Sequence, residues 1–170
     1  IFPTTIHDPD FRGKYLKDFL NDIKISPRSV VLEVSEQQVI ENFDIFKEAQ
    51  QAGNELWFYT CMFPRGPYPN RFIDFPLIKT RILHWMNYRF GITGYLHWGF
   101  NHWTDDPFTI MNEAKYGPGD SWIVYPKDDG LINSIRWEQM RNGIQDYEYF
   151  WLLENKFQKI KDEGGSTLLW

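Results

Sequence analysis

The sequence has little of what several common protein classes require. A single cysteine, Cys61, excludes an internal disulfide and any metal site built from several thiolates. No apolar run approaches the roughly 18 to 20 residues that a membrane-spanning helix needs. The formal net charge of -5 over 170 residues gives no positive potential to attract nucleic acid or an anionic membrane. We therefore expect a soluble chain with no nucleic-acid partner and no membrane span.

Motifs that define cofactor sites and common nucleophiles are also absent. No Gly-x-Gly-x-x-Gly or Gly-x-x-x-x-Gly-Lys-Ser/Thr follows a predicted strand, so nucleotide-binding folds lack support. There is no Gly-x-Ser-x-Gly turn, and Cys61 is expected to fill space. The four histidines lack His-x-x-x-His spacing, His97 and His102 have no matched carboxylate, and His84 is expected to be a packing residue. We predict no cofactor and no metal.

Aromatic residues, by contrast, are abundant: they make up 18% of the chain and include eight tryptophans. Aromatic rings stack on sugar rings, and amide and hydroxyl groups hydrogen-bond to sugar hydroxyls. Both kinds of group occur together at the ends of two strand-like runs, 55–61 and 94–103. This combination indicates a carbohydrate-binding surface.

Hydrophobic periodicity divides the chain into alternating helices and strands within one domain, 1–170. Helices are predicted over 11–23, 35–53, 74–91 and 134–163, and strands over 30–34, 55–61, 94–101 and 121–126. Alternation of this kind favours an α/β fold with a parallel sheet, either a barrel or a doubly wound sheet. The better fit is part of a (β/α)8 TIM-type barrel: about the last three βα units, an extra strand and a long C-terminal helix. Three or four strands do not close a barrel, which needs eight.

Side chains in the strand 55–61 alternate between two faces. If Leu56 and Phe58 pack under the flanking helices, Trp57 and Tyr59 point into the barrel, and Tyr59 lies nearer the mouth where barrel sites form. The alternative is that both aromatic residues only fill the barrel interior.

The run 94–103 has aromatic residues on both faces, so periodicity does not decide which face points inward. In either case its end brings Trp98, Asn101, His102 and Trp103 to the rim. A tryptophan at a rim is a natural stacking platform for a sugar. Ordinary packing is the alternative for each of these side chains.

Two pairs of adjacent aspartates are the clearest candidates for acid–base chemistry. Asp105 and Asp106 follow the rim aromatics, and Asp128 and Asp129 precede Gly130. Neighbouring carboxylates raise one another's pKa, as a general acid requires. Aspartate is also a preferred turn residue, and this alternative is favoured for both pairs. In the last helix, arginines such as 136 and 141 are predicted to pair with carboxylates on the barrel wall.

These motifs resemble the C-terminal half of the catalytic domain of glycoside hydrolase family 123 and its uncharacterised relatives. The resemblance covers roughly residues 54 to 154, and we find no family signature in the first thirty residues. The motifs occur in order at 55–61, 69–74, 80–85, 91–98, 101–103, 125–126, 134–136, 141–144 and 146–149.

The resemblance implies a (β/α)8 barrel that hydrolyses N-acetylgalactosaminides with retention of configuration. In that family the 2-acetamido carbonyl of the substrate attacks the anomeric carbon, supported by an adjacent Asp-Glu pair, so the enzyme supplies no nucleophile. A rim tyrosine would hydrogen-bond the acetamido oxygen, and Tyr59 is the candidate. The residues expected to contact the sugar are Trp57, Asn70, Trp98, Asn101, Trp103, Asp105 and Asp106.

The sequence departs from the family at the catalytic pair. No Asp-Glu precedes Glu55, and the only such dipeptide, Asp162–Glu163, ends the last helix. We therefore expect this chain to carry the sugar-contacting rim of a secreted, periplasmic or cell-surface glycosidase and to be inactive alone. The alternatives are a non-catalytic carbohydrate-binding or scaffold protein, and self-association or pairing with the missing barrel half through an open sheet edge.

Overall fold

The computed structural model of the chain describes residues 22, 24, 31–34, 43–110 and 116–164. The predicted helix over 11–23 and the first part of the helix over 35–53 lie outside these residues. The described elements are β1 (Val31–Val34), α1 (Phe43–Gln51), β2 (Glu55–Thr60), α2 (Leu77–Arg81), α3 (Leu83–Phe90), β3 (Gly94–His97), β4 (Val124–Lys127), β5 (Gly130–Asn133) and α4 (Ile135–Asp162). None of the described helices is long and apolar enough to cross a bilayer.

The first three strands form a parallel sheet in the order β1-β2-β3. Among the described residues, α1 lies between β1 and β2 in the chain, and α2 and α3 lie between β2 and β3. This confirms the predicted α/β class with parallel βα units. Within the described residues β1 and β3 are the two edges of this sheet, so this part of the chain does not close a barrel.

One face of the sheet is covered by helices. Leu56 and Phe58 of β2 are 2% and 0% exposed and pack with Phe46 of α1 and with Ile92. Phe90 of α3 meets Phe58 edge to face at 6.4 Å. Burying each large apolar side chain contributes roughly 1.5 to 3 kcal/mol. These four buried residues form the helix-face core, and their position confirms that Leu56 and Phe58 lie under the helices.

The predicted helix over 74–91 is two helices, because α2 and α3 are separated at Ile82. α4 packs closely against this interruption, since a Cβ at Gly143 would lie 2.3 Å from the Arg81 carbonyl oxygen. Gly143 is therefore a position of close packing between α4 and this junction. As predicted, the segment ends at Gly91, which adopts the left-handed conformation with φ of 65°.

The C-terminal part of the fold differs from the prediction in its strands. The strand expected over 121–126 is β4, and it pairs with an unpredicted strand, β5, as an antiparallel hairpin separate from the parallel sheet. The run 94–101 is a strand only to His97, and Asn101 beyond it forms an isolated antiparallel bridge with Trp122. The last helix is as predicted, and the Ser134 hydroxyl accepts a hydrogen bond from the Trp137 amide at 3.1 Å as its N-cap.

Candidate functional site

Three loops meet at the carboxyl ends of β2 and β3. They are residues 61–76, which follow β2, residues 98–110, which follow β3, and residues 116–123, which precede β4. Ligands in α/β proteins with parallel sheets bind outside the carboxyl ends of the strands. The side chains of this edge are therefore the candidate functional residues.

Asn70 organises the first loop from within. Its side chain is fully buried and donates to the backbone carbonyls of Cys61 and Pro64, both at 2.9 Å. Its side-chain oxygen accepts from the Arg71 amide at 2.8 Å. These bonds engage both ends of the Asn70 side-chain amide inside the protein, so the expectation that it contacts a sugar has no support in the structure.

Arg71, next to it, crosses the base of the edge. It is 3% exposed, and its Nη2 donates to Nδ1 of His97 at 2.6 Å, to the Gly99 carbonyl, and to the Asp120 carbonyl at 3.3 Å. Burial lowers the pKa of Arg71, while Tyr95 and Asp120 raise it. An arginine remains charged under such conditions, so a cation lies beneath the ends of β2 and β3.

His97 is neutral and its tautomer is defined by its neighbours. Nδ1 faces two donors, the Arg71 guanidinium and the Gly99 amide at 3.1 Å, so it must accept. Nε2 therefore carries the proton and donates to Oδ1 of Asp120 at 3.2 Å. Burial lowers the pKa of His97 to about 4, although the bond to Asp120 opposes this. The expectation that His97 has no matched carboxylate is wrong, since Asp120 is its partner. The pair was missed because Asp120 is 23 residues away in the sequence.

Asp120 connects this buried pair to the surface. It is 0% exposed, and its second oxygen, Oδ2, accepts from the indole nitrogen of Trp98 at 2.7 Å. The tight turn before it depends on Gly117 and Gly119, which have φ of 102° and 66°. A Cβ at Gly119 would also lie 2.6 Å from the side chain of Ile73. We refer to Arg71, His97, Asp120 and Arg136 as the edge network.

Arg136 is the member that comes from α4. It is 3% exposed and donates to the carbonyls of Arg71 at 2.6 Å, Gly119 at 2.8 Å and Trp122 at 2.8 Å. Burial lowers its pKa to about 10, which still leaves it protonated at neutral pH. Arg136 and Arg141 were predicted to pair with carboxylates on the barrel wall, and this is wrong. Arg136 donates to backbone carbonyls, and Arg141 pairs with Glu138 on its own helix.

The face of the sheet opposite the helices is the open face. Trp57 and Tyr59 lie on it, and the parallel register places Gly94 beside Trp57 and Leu96 beside Tyr59. Thus Leu96, and not Tyr95 or His97, shares the open face with Trp57 and Tyr59. The Trp57 ring covers Gly94, where a Cβ would lie 2.4 Å from it.

At the rim the predicted residues have different surroundings. Trp98 is 41% exposed, with the rings of His102 and Tyr116 at 5.8 and 5.2 Å. Asn101 is also exposed. Trp103, in contrast, donates its indole N–H to the Val124 carbonyl at 2.8 Å and packs against the core of Ile123, Val124 and Met140. Trp103 therefore follows the packing alternative.

The two aspartates of the rim loop, Asp105 and Asp106, also differ in their surroundings. Asp105 is exposed. Asp106 accepts from the Phe108 amide at 3.1 Å and from the Thr109 hydroxyl at 2.6 Å, and these bonds, the hydroxyl first, lower its pKa. A general acid needs a raised pKa, so Asp106 follows the turn alternative. In the described residues no three His, Cys, Asp or Glu side chains cluster as metal ligands.

Taken together, the described residues form an α/β domain whose candidate site is a partly exposed tryptophan on a buried polar network at the strand ends. The family described as "Glycoside hydrolase 123, catalytic domain" matches residues 6–153. The chain therefore belongs to this family, which confirms the assignment made from the motifs. The match begins well before residue 54, where those motifs begin. A comparison with curated proteins found no match.

A solved structure supports the fold. The chain resembles a family 123 glycoside hydrolase from Clostridium perfringens, studied for glycolipid glycan hydrolysis, with a TM-score of 0.67 and 21% identity over 91% of this chain. The chain spans 26% of the length of that protein. The fold described here thus corresponds to a part of a much larger hydrolase chain.

Proposed function

We propose that this chain forms the sugar-contacting wall of a glycosidase active site that acts on N-acetylgalactosamine-containing glycans. The observation that carries the proposal is Trp98, an exposed indole held at the carboxyl edge of the sheet by a buried carboxylate. Because the chain belongs to glycoside hydrolase family 123, we expect the ligand that stacks on Trp98 to be a sugar. The likeness to a hydrolase of glycolipid glycans is consistent with it.

In the proposed assembly the parallel sheet continues beyond β1 and β3 into a (β/α)8 barrel. The two sheet edges would pair with strands supplied by a longer protein, and the open face would become the barrel interior. Trp57 and Tyr59 already lie on that face, beside Gly94 and Leu96. Their half-buried state fits side chains that line an interior whose other wall is supplied by further strands.

Each candidate then receives a role that follows from its surroundings. Trp98 stacks on the sugar, Trp57 lines the pocket, and the exposed Asn101 and Asp105 reach hydroxyl groups at the rim. Tyr59, near the end of β2, donates to the acetamido oxygen as charge develops there during substrate-assisted attack. The remaining three candidates, Asn70, Trp103 and Asp106, are engaged within the protein and support the loops.

The catalytic Asp-Glu pair is proposed to lie outside this chain. The only Asp-Glu dipeptide in the sequence, Asp162–Glu163, lies at the exposed C-terminal end of α4. A general acid contributes typically about 10² to 10⁴-fold to rate, so the chain alone is expected to bind sugar without hydrolysing it. A purely carbohydrate-binding protein is the second candidate, favoured by the same missing pair.

Release from a chromogenic N-acetylgalactosaminide by the full-length parent protein tests the enzyme proposal. Tyr59→Phe in that protein is expected to lower kcat by roughly 10² to 10³-fold, because one donor to the developing charge is lost. Asp128→Asn, at an exposed turn, serves as the control. An unchanged kcat would contradict the role of Tyr59, whereas sugar binding by a parent that hydrolyses nothing would favour the binding protein.

A further inference from the structure

The edge network has a feature that ordinary packing does not require. A carboxylate with 0% exposure divides its two oxygens between a buried histidine and an exposed tryptophan. Oδ1 of Asp120 accepts from His97 and Oδ2 accepts from Trp98 at 2.7 Å. The indole is therefore fixed by a charge-assisted hydrogen bond, which is about twice as strong as a neutral one.

We propose that Asp120 is a positioning residue for sugar binding, which holds the Trp98 ring in its stacking orientation and is itself held by the Arg71–His97 pair. This inference rests on the proposed function, since it assumes that Trp98 is the sugar platform. Asp120 is buried, and in this proposal it does not contact the sugar. It acts through the indole.

The buried pair explains why residue 120 must be a carboxylate rather than an amide. Nδ1 of His97 has to accept, because Arg71 and the Gly99 amide both donate to it. Nε2 is then always a donor, and Trp98 presents a second donor. A carboxylate satisfies both donors, whereas an asparagine would direct its NH₂ group at one of them.

In this orientation part of the Trp98 ring is accessible to a ligand. Its ring is 41% exposed although its N–H is bonded inward. The rings of His102 and Tyr116 lie beside it at 5.8 and 5.2 Å, and the ring of His97 stacks on it at 6.4 Å. Fixing an exposed ring in advance lowers the entropy that is lost when a ligand stacks on it.

The test uses the 170-residue chain and the ¹H–¹⁵N signals of its tryptophan indoles. Trp98→Phe identifies the Trp98 signal. In the unmodified chain this N–H should be shifted downfield and should exchange with water more slowly than that of a tryptophan peptide. Asp120→Asn should return both properties toward the peptide values, and the control Asp128→Asn should change neither.

The second readout is affinity for N-acetylgalactosamine, measured by titration calorimetry so that variants without the Trp98 indole can be compared. Asp120→Asn should weaken binding by about tenfold, the equivalent of 1.4 kcal/mol. On a Trp98→Phe background the same substitution should have no further effect, because Asp120 acts only through the indole. If Asp120 had only a structural role, Asp120→Asn would weaken sugar binding by the same factor in the unmodified chain and in Trp98→Phe. That result would overturn the inference.

The outcomes separate the inference from the proposed function. If Asp120→Asn changes neither the affinity for the sugar nor the Trp98 signal, or changes only one of them, the positioning role is overturned. The proposed function is not affected by that result. Absence of binding by the unmodified chain overturns the sugar-contacting wall and the positioning role with it. If Asp120→Asn does not fold, the exchange rate of the unmodified Trp98 N–H decides, since a peptide-like rate overturns the inference.

Discussion

The helix-face core and the edge network are both buried, yet they are held together by different physics. The first consists of Phe46, Leu56, Phe58 and Ile92, whose contacts are apolar and have no preferred direction. The second consists of three charged groups and a neutral histidine, which are joined to their neighbours by directional hydrogen bonds between particular atoms. The core defines where the sheet and helices lie, and the network defines where a few atoms at the edge lie. A functional site needs the second kind of precision.

The largest effect should come from replacing Arg136 with methionine. The substitution keeps an apolar stem and removes the donors to three buried carbonyls, so we expect the free energy of unfolding to fall by about 3 to 5 kcal/mol. Urea denaturation measures it. A volume-conserving swap in the other region, Leu56→Met, should cost less than about 1.5 kcal/mol.

Arg141→Met on the same helix is the matched control. Arg141 is exposed and pairs with Glu138 at 2.7 Å, so its loss should change stability by no more than about 1 kcal/mol. Equal losses of stability in Arg136→Met and Arg141→Met would show that the buried hydrogen bonds of Arg136 contribute no more than an exposed ion pair.

Acid should weaken the molecule through two buried histidines, His97 in the network and His84 beside the core. Burial lowers the pKa of each to about 4, from 6.5. Between these values the unfolded chain binds more protons, so stability falls as pH falls from about 6.5 to 4. The loss should be about 3 kcal/mol for each histidine.

His84→Leu tests this assignment. Nε2 of His84 is buried and has no hydrogen-bond partner among the described residues, so an apolar replacement should cost little at neutral pH. It should remove about half of the acid-dependent loss that the two histidines cause. An unchanged pH profile of unfolding would show that His84 is not protonated on unfolding as described.

The smallest effect concerns the contact between α4 and the junction of α2 and α3. Helix propensity favours Gly143→Ala by about 1 kcal/mol. A Cβ there would lie 2.3 Å from the Arg81 carbonyl oxygen, and overpacking of this kind costs typically about 1 to 3 kcal/mol. We expect net destabilisation in thermal unfolding, while Gln145→Ala, exposed on the same helix, should be neutral. A stabilised Gly143→Ala would mean that α4 can move away.

The helix-face core could be predicted from sequence because its signal is local. Alternation along 55–61 separates Leu56 and Phe58 from Trp57 and Tyr59, and the structure places them on opposite faces. The end of α3 at Gly91 and the start of α4 at Ser134 are also local signals, carried by a left-handed glycine and a capping hydroxyl.

The edge network could not be predicted because its members are distant in sequence and come from two loops, the end of a strand and a helix. Arg71 and His97 are 26 residues apart, and Trp98 and Asp120 are 22 apart, with no periodic spacing between them. The only local hint at Asp120 is the preceding Gly117-Pro-Gly119 turn. The strand β5 was missed for a related reason, since all four of its residues are exposed and show no alternation.

The most direct test of the sugar-contacting edge is a titration of the 170-residue chain with N-acetylgalactosamine, observed through its indole ¹H–¹⁵N signals. The account predicts a saturable shift of the Trp98 signal, which Trp98→Phe identifies by its absence, while the signal of Trp151, exposed on α4, stays in place. No saturable shift at Trp98, or an equal shift at Trp151, would contradict it.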